Sequence, residues 1–431
     1  MYANHFCTSM KILYQKVIKM NNNIESALSL DAKIYLHDIE KADLLVGIPS
    51  YNNVLTASYV LTQVMKGLDK YFPHLRSVIF VSDGKSMDDT LTSIKKVNLP
   101  SEVKLIPAIY MGLSGKGTAV RAIFEAASQL KVKSVALVDS DLRSITPEWM
   151  NLLIGPTLNG TDFVVPYYNR RKYDGTITNF LCYPMTRSLF GKDIRQPIGG
   201  DFGFSIKLVE DLLDSGMWEI PEVSRFGIDI FETFTALSNG YNIKQAFLGV
   251  KNHDAKDPSS QLASMFHQVM TTMFSFIEQS EDVWKPITSV SNIDFVGEGS
   301  CDGIPEAVDV SLPETISTFK QNYGMYQHIY KSILDEDLIA KIEELKQLET
   351  KDVGFSSETW AKTVYSFVAA FHRSPIENRA DLIDALRVLW IGRVGAFMKK
   401  TWSMDRNDCE AMIFKEAQAF QELKKYLIEK F

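Results

Sequence analysis

Short apolar runs closed by turn residues alternate with stretches of helical spacing over the first third of the chain. Asp43-Leu44-Leu45-Val46-Gly47-Ile48-Pro49 is an apolar run ended by proline, the pattern of a buried strand. Apolar positions at helical spacing follow over 54–70. Ser77-Val78-Ile79-Phe80-Val81 repeats the strand pattern and is closed by Ser82-Asp83-Gly84. A helix is expected over about 87–96, a strand in Val103-Lys104-Leu105-Ile106, a helix over 117–130 and a strand in Ser134-Val135-Ala136-Leu137-Val138. Strands alternating with helices in this way predict βαβ units, and so an α/β fold with a mainly parallel sheet.

The texture is mixed over 150–260, with strands expected at Asp162-Phe163-Val164-Val165 and Ile243 to Val250. Residues 261–280 read as an amphipathic helix rich in Met and Phe. Gly297, Gly299, Gly303, Pro305 and Pro313 punctuate a loop-like stretch. Helical spacing then returns: Trp360, Val364, Phe367 and Phe371 share one face, as do Leu386, Trp390, Val394 and Phe397. These stripes read as core. The expected organisation is a polar, partly helical extension (1–42), a sheet domain (43–280, with halves at about 43–150 and 151–280), a linker (281–312) and a helical carboxyl-terminal subdomain (313–431).

Composition narrows the partners. The 431 residues are 45% hydrophobic and 23% charged, ordinary for a globular protein, and the net charge of −7 argues against a nucleic-acid partner, while local cationic clusters can still exist on an acidic chain. No run approaches the roughly 18 apolar residues that span a bilayer. Lys11, Lys16 and Lys19 interrupt the first 20 residues, so no leader core is expected there. Cys7, Cys182, Cys301 and Cys409 lie far apart, without zinc or disulfide spacing, which suits reduced thiols in a cytoplasmic protein.

Ligands of parallel sheets lie at the carboxyl ends of the strands. The polar residues there are Ser50 to Asn53, Asp83, Ser114 to Lys116, and Asp139 to Asp141. Asp139-Ser140-Asp141 is the strongest signal: hard oxygen ligands suited to Mg²⁺ or Mn²⁺, which can bridge to a diphosphate. Such a pair is elsewhere only a solvated turn; its place after the fourth strand of the series favours the site. His253 is a candidate third ligand, or a surface histidine. Gly112-Leu113-Ser114-Gly115-Lys116-Gly117 opens a helix, where backbone, helix dipole and Lys116 suit a phosphate, although P-loop spacing is absent. Asn169-Arg170-Arg171-Lys172 is a cationic cluster that fits a solvated face, a carboxylate or a phosphate. Gly199 and Gly200, in Gln196-Pro197-Ile198-Gly199-Gly200-Asp201, form a tight turn that also makes room for a ligand. Asp229 opens a helix, as a first-turn acid or a site residue.

Ile48-Pro49-Ser50-Tyr51-Asn52-Asn53, Val81-Ser82-Asp83-Gly84 and Asp139-Ser140-Asp141 together resemble the nucleotide-binding half of GT-A glycosyltransferases over about 43–150. The run from Arg170 through Asp174 to Thr178, the Gln196–Gly200 turn, Gly227-Ile228-Asp229 and His253 are similar to mannosylglycerate synthases, whose plan the glucosyl-3-phosphoglycerate synthases share. The order of blocks matches over about 43–280, and the helical tail at 355–425 looks like that family's. The family's Pro-Gly-Lys-Gly here reads Ser-Gly-Lys-Gly.

The resemblance implies a GT-A catalytic domain over 43–280 and a retaining hexosyl transfer. GDP-mannose or UDP-glucose would be the donor, D-glycerate the small carboxylate acceptor, and mannosylglycerate or glucosylglycerate, a compatible solute, the product. Asp139, Asp141 and His253 would hold Mn²⁺ or Mg²⁺. Pro49, Tyr51, Asn53, Asp83, Lys116, Asp139, Gly199 and Gly200 would bind the nucleotide-sugar. Arg170, Asp174 and Thr178 would hold the acceptor, with Arg170 on its carboxylate. Asp229, Lys116 and Arg170 would carry the chemistry, and the helical tail is of a kind that mediates homodimers. The extra cations Arg171 and Lys172 keep a phosphorylated acceptor open. Two alternatives stand beside this: a nucleotidyltransferase on a similar sheet, separated by its pyrophosphate product, and an inactive sugar-nucleotide-binding protein, separated by binding without turnover.

Overall fold

The computed structural model describes residues 25–253, 257, 262–297, 303–306, 310–349, 353 and 355–431. Its strands are β1 (Leu44–Ser50), β2 (Ser77–Asp83), β3 (Val103–Ile109), β4 (Ser134–Leu137), β5 (Phe163–Asn169), β6 (Lys192–Asp193), β7 (Phe202–Ser205), β8 (Ile243–Val250), β9 (Ser291–Asn292) and β10 (Phe295–Val296). The main sheet runs β10-β8-β5-β7-β4-β1-β2-β3, and β6 pairs with β9 apart from it. Pairings are parallel except where β7 lies antiparallel between β4 and β5.

The apolar runs become strands because both faces of the sheet are covered. Successive side chains point to opposite faces. Leu44, Val46, Ile48, Ile79 and Val81 thus enter one core with Val60, Val64, Trp149 and Leu153 from the helices Ala57–Tyr71 and Glu148–Leu158. Leu45, Val78 and Phe80 enter the other, under the helices Lys116–Leu130, Ile228–Ser238 and Ala263–Gln279. That second core continues without a break into Trp360, Phe367, Leu386 and Trp390 of the helices Ser357–Arg373 and Ile376–Thr401.

Several elements differ from the expectation. The strand Phe202–Ser205 is too short to announce itself after a glycine pair; Phe202 and Phe204 hold it by packing on Phe163, with ring centroids 5.3 and 5.1 Å away. The stretch expected as a linker over 281–312 contains the helix Glu281–Trp284 and supplies β10, which pairs with β8 at the sheet edge. The amino-terminal preface contains the helix Leu30–Ile39, capped by the Ser29 hydroxyl accepting from Ala32 N–H; residues 1–24 lie outside those described. No helix among the described residues is long and apolar enough to cross a membrane.

The topology decides where chemistry can sit. Strands β1, β4, β5 and β8 end on one edge of the sheet. Antiparallel β7 begins on that same edge, with Leu137 opposite Phe202. The Gly199-Gly200-Asp201 turn is therefore delivered onto the segment that leaves β4.

Candidate active site

A cavity of about 740 Å³ opens at this edge, a volume in the range of small-molecule sites. Pro49 lines it from the last residues of β1, Tyr51 and Asn53 from the segment that follows, Lys116 at the head of its helix, Asp139 and Asp141 after β4, and Arg170, Asp174 and Thr178 after β5. Gly199, Gly200, Asp229 and His253 complete the set.

Asp139 is its electrostatic centre. Lys116 Nζ lies 2.9 Å from Asp139 Oδ1 and 3.1 Å from Asp229 Oδ1. On the other side Lys251 Nζ donates to Asp139 Oδ2 at 2.9 Å, to Asp201 Oδ2 at 2.8 Å and to the Gly199 carbonyl at 2.8 Å. Asp201 is fully buried; it accepts from Asp139 N–H at 2.8 Å and from the Tyr168 hydroxyl. Burial opposes ionisation of Asp139, but the two lysines outweigh it and hold its carboxyl far below the usual carboxylate range. Burial and the Asp201 charge push the Tyr168 phenol well up, so it remains a donor. Gly200 is required here: its φ is +86°, and a Cβ would stand 2.3 Å from Asp139 Oδ2.

Lys116 is held by its own loop. Gly115 N–H donates to the Tyr110 hydroxyl at 2.9 Å. Gly117 and Thr118 N–H donate to the Arg225 and Ser224 carbonyls at 3.0 and 2.9 Å. Two amides of the helix amino end are thereby satisfied within the protein, so an anion here meets chiefly Lys116 and the helix dipole. Gly117 is dictated by this closeness, since a Cβ would lie 1.9 Å from the Val223 carbonyl.

Another part of the cavity lining is built on the segment after β5. Arg170 pairs with Asp174 at 3.7 Å and lies over the Tyr168 ring, 5.5 Å from its centroid. Its Nε is buried without a hydrogen-bond partner. His253 Nε2 lies 3.3 Å from Asp174 Oδ2. Burial would raise the Asp174 carboxyl, but Arg170 and His253 hold it well below the usual range. Thr178 begins a π-helical turn, Thr178–Cys182, a rare element often found at functional sites.

Asp83 is the expected site residue that does not line the cavity. It is fully buried, and its two oxygens accept from the Ser86 amide and hydroxyl, both at 2.7 Å. It shapes the loop that follows β2, where Ser86 in turn accepts from Asn52 N–H at 2.8 Å. Arg171 and Lys172 also point elsewhere: Arg171 Nε donates to the Pro305 carbonyl at 2.8 Å, and Lys172 Nζ to the Thr401 and Trp402 carbonyls at 2.8 and 2.9 Å.

The expected metal ligands share the cavity but not one tight cluster. Among the described residues no three histidine, cysteine or acidic side chains are gathered into a cage. Asp139 is engaged by two lysines and His253 by Asp174. The donor set still fits a divalent cation. Burial and the Asp139 charge push the Asp141 carboxyl up, so it is short of positive charge. Among the described residues, Asp139, Asp141, Asp201 and Asp229 are met chiefly by Lys116 and Lys251, which leaves an excess of negative charge that suits a divalent ion.

Lys251, Asp201 and Tyr168 were not among the residues picked from the sequence. Lys251 follows the apolar run of β8 directly, and Asp201 stands between a glycine pair and a buried strand, so burial of both charges was signalled only by their neighbours. Glu232, one helical turn after Asp229, is buried with both oxygens unpartnered. Burial and the Asp229 charge push its carboxyl well up, which keeps it neutral.

Residues 83–275 match the family model of the mannosylglycerate synthase glycosyltransferase domain. No curated protein matches the sequence. Similar solved structures include glucosyl-3-phosphoglycerate synthase from Mycobacterium tuberculosis with Mn²⁺, uridine diphosphate and phosphoglyceric acid: 22% identity over 56% of this chain and 82% of that one, TM-score 0.44. The same enzyme with Mn²⁺, UDP-glucose and phosphoglyceric acid gives 21% identity over 56% and 83%, TM-score 0.43. A further mycobacterial protein gives 20% identity over 59% and 80%, TM-score 0.42.

Proposed function

We propose that the chain, whose residues 83–275 match the model of the mannosylglycerate synthase glycosyltransferase domain, transfers a hexose from a nucleotide-sugar to D-glycerate with retention of anomeric configuration. The observation that carries this reading is one cavity lined by the Asp139–Lys116–Asp229 cluster together with Arg170, Asp174 and Thr178.

Each group has a part in the transfer. Lys116, beside Asp139, neutralises charge on the departing diphosphate. Arg170, which lines the cavity, gives a carboxylate a charge-assisted hydrogen bond through its guanidinium. Asp174 and Thr178 orient the acceptor hydroxyl, and Asp229 lies beside the transferred sugar. The bond from the anomeric carbon to the diphosphate oxygen breaks as the bond to the acceptor oxygen forms. The acceptor proton passes to the leaving phosphate oxygen, so no strong protein base is needed. Asp139, Asp141 and His253 are the residues to hold Mn²⁺ or Mg²⁺, which would supply Lewis-acid stabilisation of the leaving group.

The acceptor end favours glycerate over its phosphate. Arg171 and Lys172, the cations that would suit a second anionic group, are committed to backbone carbonyls of 305 and of 401–404. Of that cationic run only Arg170 lines the cavity. A donor-by-acceptor screen decides it: GDP-mannose and UDP-glucose against D-glycerate and 3-phosphoglycerate, with and without Mn²⁺ or Mg²⁺. Transfer to glycerate, with release of nucleoside diphosphate, is the expected result. Preference for 3-phosphoglycerate overturns the acceptor assignment, and release of pyrophosphate overturns the reaction class.

A further inference from the structure

We infer that Trp360 and Trp390, on the carboxyl-terminal helices, are positioning residues for the acceptor subsite, acting through the π-helical turn that carries Thr178. The inference rests on the acceptor assignment of Arg170, Asp174 and Thr178 given above.

The turn Thr178–Cys182 is fully buried, and Tyr183 N–H closes it onto the Thr178 carbonyl. A π-turn has poorer backbone geometry than an α-helix, so it persists only where its surroundings over-determine it. Here the surroundings are indoles. Trp360 Nε1 donates to the Phe180 carbonyl at 2.8 Å, and Trp390 Nε1 donates to the Thr176 carbonyl at 3.4 Å. Both indoles are themselves fully buried. The Phe180 ring packs edge-on against Phe397, centroids 5.0 Å apart, and under the Arg393 guanidinium at 5.1 Å.

The same helix system holds the rest of the acceptor segment. Lys172 Nζ is tied to the carbonyls of Thr401, Trp402 and Met404 at 2.8, 2.9 and 3.3 Å, where the helix Ile376–Thr401 ends. Tyr173 donates to the Met398 carbonyl at 3.4 Å and stacks on Trp402, centroids 6.3 Å apart. The chain from 172 to 180 therefore faces the cavity on one side and is fixed on the other by atoms more than 170 residues later in sequence. An acceptor held by three side chains of one segment is sensitive to any looseness in that segment.

The test compares Trp360→Phe with Trp284→Phe. Trp284 is equally buried, and its Nε1 donates to the Ile277 carbonyl at 2.9 Å, away from the acceptor segment. Both substitutions remove one indole donor and similar bulk. Trp360→Phe is expected to raise the acceptor KM about tenfold, the size of one lost buried hydrogen bond, and to leave the donor KM within about twofold. It should also speed amide hydrogen exchange over 173–182. Trp284→Phe should lower Tm comparably without either effect. Unchanged acceptor KM and exchange in Trp360→Phe, or equal changes in both variants, overturns the inference. Should Trp360→Phe fail to fold, Lys172→Met is measured in its place, with the same direction expected. A wild-type protein that does not use glycerate overturns the proposed reaction; the exchange comparison still decides the role of Trp360.

Discussion

Lys251 has three N–H donors and all three end on Asp139, Asp201 and Gly199. Replacing it by methionine leaves the fully buried Asp201 carboxylate without its cation and Asp139 with Lys116 alone, an imbalance that costs about 3–5 kcal/mol. Lys251→Met is therefore expected to lower the denaturant midpoint sharply. Lys251→Arg should not restore it, because a planar fork cannot reproduce three donors converging from one nitrogen; full rescue by arginine would show that charge alone matters. Gly200→Ala attacks the same cluster from the turn. With φ at +86° and Asp139 Oδ2 only 2.3 Å from the added Cβ, Asp139 must move, and a shift of about 1 Å at a catalytic group costs about a hundredfold. Turnover falling that far with modest loss of Tm is the expected pattern, and near-normal turnover would refute the placement of Asp139. At this scale the sequence led to residues that line the cavity, at Asp139-Ser140-Asp141, Lys116 and Arg170. It was silent where a charge is buried by distant chain. The apolar run before Lys251 is its one local sign of burial, and Asp83 reads as a ligand until Ser86 is seen to occupy both its oxygens.

The strands that could be read from the chain are β1 to β5 and β8; β1, β2, β4 and β5 are buried almost throughout, β3 and β8 only in part, and continuous apolar runs need no partner to be recognised. Elements whose form depends on neighbours were hidden: antiparallel β7, the two-residue β10 and the π-turn. The contacts between helices carry the pH dependence that can be tested. His267, on Ala263–Gln279, lies 3.6 Å from Asp384, on Ile376–Thr401. The hydrogen bond that the imidazole donates to the Asp384 carboxylate, chiefly, raises the imidazole pKa against burial; Glu222 adds to the rise and Arg387 opposes it. The hydrogen bond from His267 lowers the Asp384 carboxyl. A raised histidine contributes stability that is complete below its unfolded pKa and lost as pH rises through its folded one. The lowered aspartate contributes stability that is lost as pH falls through its own folded value. The pair therefore helps most between the two, in mildly acid solution. Both groups are partly exposed, so solvent screens the pair to no more than about 1 kcal/mol. Asp384→Asn should move the His267 titration, followed by NMR of the ring protons, to lower pH. No movement, or movement upward, would sink the pairing.

At the scale of the whole molecule, the helical region and the sheet share one continuous apolar core, from Leu45 and Phe80 to Trp390 and Phe420. The buried Arg393–Glu416 pair, 2.7 Å apart, locks the last long helices to each other, and Arg195–Glu410, at 2.9 Å, ties them to the turn that leads to Gly199. Pattern reading separates these regions by a linker, because glycines and prolines look alike whether a segment joins two cores or crosses one. A shared core predicts a single unfolding transition. Trp149 and Trp218 report on the sheet region, Trp360 and Trp390 on the late helices, so variants keeping one or the other pair should show the same urea midpoint as far-UV circular dichroism. Ligand sharpens the test. Nucleoside diphosphate with Mn²⁺ at a hundredfold over its Kd stabilises the folded state by about 2.7 kcal/mol through mass action alone, and in one cooperative unit that gain reaches every probe equally. Chelation of the metal should withdraw the metal-dependent part of that gain from all of them. Two transitions, with only the sheet probes responding to ligand, would mean that the helices fold apart from the site, and the acceptor subsite could not then depend on Trp360 and Trp390.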